Sequence, residues 1–116
     1  MQASEILRQV RVNVLKDVDA DEFQFNDKEL LDGLNHTIQR MLKLRPILKW
    51  TDTHTYQNES AFRVASTQSD VQIPDDYLEA LIQGTCEQVC NSLQADQAMM
   101  AAKQKYAEQF MALMRL

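Results

Sequence analysis

A chain of 116 residues has the length of one domain and can bury a single modest core. With 45% hydrophobic and 25% charged residues it is neither a disordered tail nor a membrane span, since no apolar run is long enough to cross a bilayer. A net charge of −5 excludes non-specific nucleic-acid binding, which needs a basic footprint to displace counterions.

The opening Met1-Gln2-Ala3-Ser4-Glu5 has neither a basic nor an apolar leader region, so a start in the cytoplasm is expected. The first helix is expected over about 4–17. Ser4 is placed to cap it, Glu5 favours its positive end, and Ile6, Leu7, Val10 and Val14 make one stripe. Val12 and Leu15 fall off that stripe, which fits either a second neighbour or surface scatter. Asp17, Asp19 and Asp21 have the alternate spacing that opens a calcium loop. Its sixth position is Glu22 instead of glycine and its twelfth is Lys28 instead of a bidentate acid, so no calcium site is expected.

The second helix is expected over about 27–45. Asn26 followed by Glu29 is a capping box, with Phe25 in position to staple onto Leu30. Leu30, Leu31, Leu34, Ile38, Met41 and Leu42 form a broad apolar face, and Pro46 ends the helix.

From Leu48 onward the helical period is lost. Residues 51–73 read as a β-hairpin or small three-strand arm, because Thr51, Thr53 and Thr55, then Phe62 and Val64, then Val71 and Ile73 alternate with other residues between polar turns. A two-strand arm is marginal alone, so Trp50, Tyr56 and Phe62 are expected to anchor it on the helices. The third helix, about 75–94, opens on Pro74-Asp75-Asp76 and carries Leu78, Leu81, Ile82, Thr85, Val89 and Leu93. Gly84 lies off that stripe, where it either admits a close neighbour or is tolerated surface. The fourth helix, about 96–114, is expected to be capped by Asp96, with a stripe of Met99, Lys103, Tyr106, Phe110 and Leu113. Met100, Met111 and Met114 widen that face, as filler of an irregular core or as an adaptable binding surface. The expected fold is thus mainly α, a four-helix bundle-like body with a β-hairpin or small β insertion between the second and third helices, in one domain.

The residues offer little chemistry. Cys86 and Cys90 stand four apart within a helix, where a disulfide is geometrically poor, and neither the Cys nor the His spacing matches a zinc site. Glu87 beside Cys86 works against a reactive thiolate. Asp75-Asp76 is explained by the helix dipole, and isolated Gly33 and Gly84 make no phosphate loop. No catalytic residue, metal site or cofactor is expected, and the protein reads as a non-enzyme.

Along most of its length the chain resembles the small head–tail connector, or adaptor, proteins of tailed bacteriophages. The likeness is carried by Phe25-Asn26-Asp27-Lys28-Glu29-Leu30-Leu31 leading to Leu34-Asn35, the helix ending at Arg45-Pro46, and Ile73-Pro74-Asp75-Asp76-Tyr77. A closing helix pair with Lys105-Tyr106-Ala107-Glu108-Gln109-Phe110 completes it. The resemblance implies a virion protein at the head–tail interface that forms a ring, dodecameric in the virion, beneath the portal protein. Such a ring extends the DNA channel and docks a tail or tail-completion protein, with DNA passing through without specific binding and no membrane involved. Carried over, Phe110, Met111, Leu113, Met114 and Leu116 are the portal-docking candidates, and Tyr56, Phe62, Val64 and Val71 are the arm and inter-subunit candidates. Read without the resemblance, the residues also suit a small helical regulatory or adaptor protein, monomeric or dimeric, whose Met-rich last helix binds a partner helix.

Overall fold

Each of the four expected apolar stripes forms a helix. The computed structural model of the chain describes residues 2–17, 26–49, 62–91 and 97–115. Its α-helices are α1 (Ala3–Asp17), α2 (Asp27–Leu44), α3 (Leu78–Asn91) and α4 (Gln97–Met114). A 3₁₀ turn, Pro46–Lys49, follows α2, and another, Asp75–Tyr77, leads into α3 where a longer helix was expected. The calls on the Asp19/Asp21 loop, the Phe25 staple, Trp50, Tyr56, the Asp96 cap and Leu116 lie outside the described residues.

The α2 start is built as its sequence dictates. The Asn26 side chain accepts a 2.8 Å hydrogen bond from the Glu29 N–H, satisfying one of the free donors of the first turn. At the other end the Arg45 N–H still bonds back to the Met41 carbonyl before Pro46 turns the chain.

The start of α1 corrects its expected cap. Ser4 lies inside the helix, and the first donors are met from elsewhere: Ala3 N–H bonds to the Ser69 carbonyl and Ser4 N–H to the Thr67 carbonyl, both at 2.9 Å. The chain before α3 thus does the capping that a local side chain was expected to do.

The β insertion is also corrected. Residues 62–77 contain no strand, only a single antiparallel bridge between Gln2 and Asp70, while 51–61 lie outside the described residues. Phe62, Val64, Val71 and Ile73 are nevertheless buried, so the alternation was real and its meaning different. An extended segment sends every second side chain inward whether or not a neighbouring strand is present. Here its backbone groups find helix partners instead. Asn35 of α2 donates from Nδ2 to the Val64 carbonyl at 2.9 Å and accepts from the Val64 N–H at 2.7 Å, and the 67–69 turn serves α1. A sheet is unnecessary once these groups are paired.

α3 is the central element. It touches α1, α2 and α4, and from Ala80 to Cys90 only Gln88 is not buried. Thr85 meets the demand of that setting by turning its hydroxyl onto the Leu81 carbonyl, and Thr37 of α2 does the same to Gly33. Gly84 settles its two readings in favour of close approach. A Cβ there would lie 2.5 Å from Thr37 Cγ2 and 2.9 Å from Phe110 Cδ2, so α2, α3 and α4 meet at this point. Gly33 lies opposite Gln88 and Thr85, and Thr37 opposite Gly84, so α2 and α3 run antiparallel.

Candidate docking cleft and the C-terminal helix

The inward seam of α4 runs Ala102, Tyr106, Phe110 and Met114, one helical turn apart, rather than through Lys103 and Leu113 as the sequence suggested. Lys103 is exposed, while Leu113 and Met111 sit half-buried against the core edge. The methionines therefore divide. Met114 fills the core, Met111 borders it, and Met100 is 60% exposed.

This places the portal-docking candidates in two classes. Phe110 and Met114 serve the chain's own core, and Met111 and Leu113 offer part of their surface outward. Of the arm candidates, Phe62, Val64 and Val71 face the core as well. Val12, the off-stripe residue of α1, is 54% exposed and is surface scatter. Cys86 and Cys90 are buried thiols.

Arg40 of α2 and Arg45, which caps its end, fix the last turns of α4, and sequence reading gave neither this role. Arg40 stacks on the Phe110 ring, 4.7 Å from guanidinium carbon to centroid, bonds Glu87 Oε2 at 2.9 Å and reaches Met111 Sδ at 3.7 Å. The Glu87 side chain is only 11% exposed, and Arg40 stands beside it as its counter-charge. Arg45 donates from Nε to the Met114 carbonyl at 2.9 Å, meeting an acceptor that the helix end leaves free. A polar pair placed at mid-helix on two separate helices gives no periodic signal, which is why it was illegible.

On the other side of α4 lies an open cleft of about 530 Å³. α1 supplies Asn13 and α3 supplies Glu79 and Gln83. Tyr106, Ala112 and Leu113 of α4 make the apolar floor, with Lys105 and Gln109 beside them. Tyr106 is locked in place by its hydroxyl, which donates to the Asn13 carbonyl at 3.1 Å, and the Lys105 ammonium lies 6.0 Å from the centre of its ring. Gln83 donates from Nε2 to Glu79 Oε1 at 3.0 Å, which fixes its amide orientation because a carboxylate only accepts. Its Oε1 is buried and has no hydrogen-bond partner among the described residues. An unmet buried acceptor of this kind costs about 1–3 kcal/mol. The charged residues lining the cleft are one acid, Glu79, and one base, Lys105, while exposed Asp75 and Asp76 stand one turn before Glu79 and outside the lining.

A second uncovered surface stands where α2 ends. Leu44 is 44% and Ile47 70% exposed, between exposed Lys43 and half-buried Lys49. The Arg45–Met114 bond places this corner beside the end of α4, and Leu113 places the cleft near that same end. The corner belongs to the end of α2 and the turn after it, and the cleft is lined by α1, α3 and α4.

No family model matches the chain, and neither a curated protein nor a solved structure matches it.

Proposed function

We propose that this chain is a structural, non-enzymatic connector of a tailed phage, assembling as a ring beneath the portal and presenting a docking surface to the tail. The observation that carries the reading is the apolar surface left uncovered at one end of the body, Leu44 and Ile47 together with the outer parts of Met111 and Leu113. Large apolar side chains gathered at one end suit a protein whose partners cover them. The sequence resemblance names the partners: portal, sister subunits and a tail or tail-completion protein. Weak individual contacts suffice in such a ring, because neighbouring sites raise one another's effective concentration. A chain of net charge −5 suits a channel wall along which DNA slides without being held.

Within this reading the portal contact belongs to the outward surfaces of Met111 and Leu113, since Phe110 and Met114 are committed to the core. The test is the mass of the purified protein by light scattering, alone and mixed with the portal of its own phage. Stoichiometric joining to the portal is the expected result. A stable small dimer that ignores the portal would overturn the reading in favour of a regulatory protein, for which the exposed Met100 offers a binding surface.

A further inference from the structure

We infer that the end of the body where α2 and α4 finish takes an acidic segment of a partner protein, one that carries large apolar side chains between its carboxylates. The inference rests on the connector reading, in which this end meets the portal, and names the chemistry of the segment it receives.

α2 and α4 run side by side in the same direction here, because Arg40 reaches Met111 and Arg45 reaches Met114. Leu44 stands one turn beyond Arg40 on α2. Arg115 stands one turn beyond Met111, with its N–H bonded to the Met111 carbonyl. Leu44 and Ile47 are uncovered, and Met111 keeps part of its surface outward.

The charges that accompany these side chains have one sign. Residues 43–49 and 109–115 carry Lys43, Arg45, Lys49 and Arg115 and no acid, in a chain whose acids outnumber its bases seventeen to twelve. The ion pairs among the described residues use Arg8, Arg11 and Arg40. Arg45 is engaged with the Met114 carbonyl, and Lys43, Lys49 and Arg115 have no carboxylate partner among the described residues. The negative end of a helix dipole favours a cation such as Lys43 in the last turn of α2. It accounts neither for Lys49 beyond the helix nor for the aliphatic pair between the two lysines.

That mixture selects the partner. A phosphate backbone is held by bases and has no use for exposed aliphatic side chains. A lipid surface needs a broader apolar face than Leu44 and Ile47 provide. An acidic amphipathic segment uses both features, its apolar side chains covering Leu44 and Ile47 and its carboxylates meeting Lys43, Lys49 and Arg115. Apolar burial holds it there, and the charges set its orientation. The chain's net charge of −5 repels such a segment elsewhere and directs its approach to this end.

The experiment titrates the isotope-labelled full chain with a synthetic helical peptide that sets leucines along one face and glutamates beside them, and follows backbone amide shifts by NMR. The expected result is saturable shifts at residues 43–49 and 111–115, with affinity falling at least about threefold as salt is raised. The same peptide with lysines for glutamates should leave those amides unmoved. Ile47→Ser, and separately the pair Lys43→Glu with Lys49→Glu, should each weaken binding at least about fivefold. These positions are open to solvent, and circular dichroism verifies the fold of each variant. Absence of shifts at this end, equal binding of the lysine peptide, or unchanged affinity in Ile47→Ser overturns the inference. Tighter binding of a DNA duplex or of phosphatidylserine vesicles at the same amides overturns it as well. Joining to the portal is read separately by light scattering. A chain that joins the portal but fails the peptide tests loses only this inference, and one that passes them but ignores the portal loses only the connector reading.

Discussion

Gly84 of α3 and Phe110 of α4 are packed so closely that a methyl group does not fit between them: a Cβ on Gly84 would stand 2.9 Å from Phe110 Cδ2. The same Cβ would lie 2.5 Å from Thr37 Cγ2. Phe110 and Thr37 are themselves buried, with 0% and 1% exposure, so neither has open space to retreat into.

Gly84→Ala is therefore expected to destabilise the protein by about 1–3 kcal/mol through overpacking, although alanine is the better helix former. Urea unfolding measures the change. Thr37→Ser removes the Cγ2 methyl and keeps the hydroxyl that bonds the Gly33 carbonyl. In the Gly84→Ala background it should recover part of the loss, and a double-mutant cycle without coupling would show that the methyl contact is not the cause.

The helix bodies were legible because their burial is periodic. Ile6, Val10 and Val14, then Leu30, Leu34, Ile38 and Met41, announce the faces that α1 and α2 bury. The insertion was misread because alternation at Phe62/Val64 and Val71/Ile73 records only an extended backbone. What pairs that backbone is Asn35, distant in sequence, and the free donors of α1. Gly84 signalled a special position without saying which neighbours approach it. The cleft was illegible altogether, since Asn13, Gln83 and Gln109 acquire meaning only when three helices bring them together.

Asn35 holds Val64 by two hydrogen bonds, one in each direction. Asn35→Leu leaves the Val64 N–H and carbonyl without this partner and should cost about 2–3 kcal/mol, taking about 1 kcal/mol or more for each. Amide hydrogen exchange supplies a local readout, with the Val64 N–H losing protection more than those in mid-α3. Asn35→Asp keeps an acceptor for the N–H but sets a carboxylate against the Val64 carbonyl, so it should not restore stability. Equal loss of protection throughout the protein would show that Asn35 does not act locally.

Arg40 and Glu87 form a pair in which the carboxylate is the more enclosed member, with side-chain exposures of 33% and 11%. Arg40→Met strands the Glu87 charge and removes the cation from the Phe110 face, at an expected cost of about 3 kcal/mol. Adding Glu87→Gln to that background removes the stranded charge and should return about 1 kcal/mol or more. The measurement is urea unfolding of the four proteins in the cycle. Additive losses would mean that Arg40 acts through packing on Phe110 and Met111 alone.

Core and surface roles in the last turns of α4 can be separated by comparing Phe110→Ala with Leu113→Asp. Phe110 is fully enclosed, and its truncation opens a cavity at the junction of three helices, so a loss of about 3–5 kcal/mol is expected. Leu113 lies half-buried at the cleft, and Leu113→Asp should cost about 1 kcal/mol or less because its carboxylate can turn to solvent. Portal binding should order the two variants the other way when each is assayed at a temperature where it remains folded. Leu113→Asp should bind at least about tenfold more weakly, a loss of about 1.4 kcal/mol, while folded Phe110→Ala stays near the parent protein. If folded Phe110→Ala lost portal binding and Leu113→Asp kept it, the contact would have to form by withdrawing Phe110 from its place beside Gly84, and the outward surface of α4 would not be the docking face.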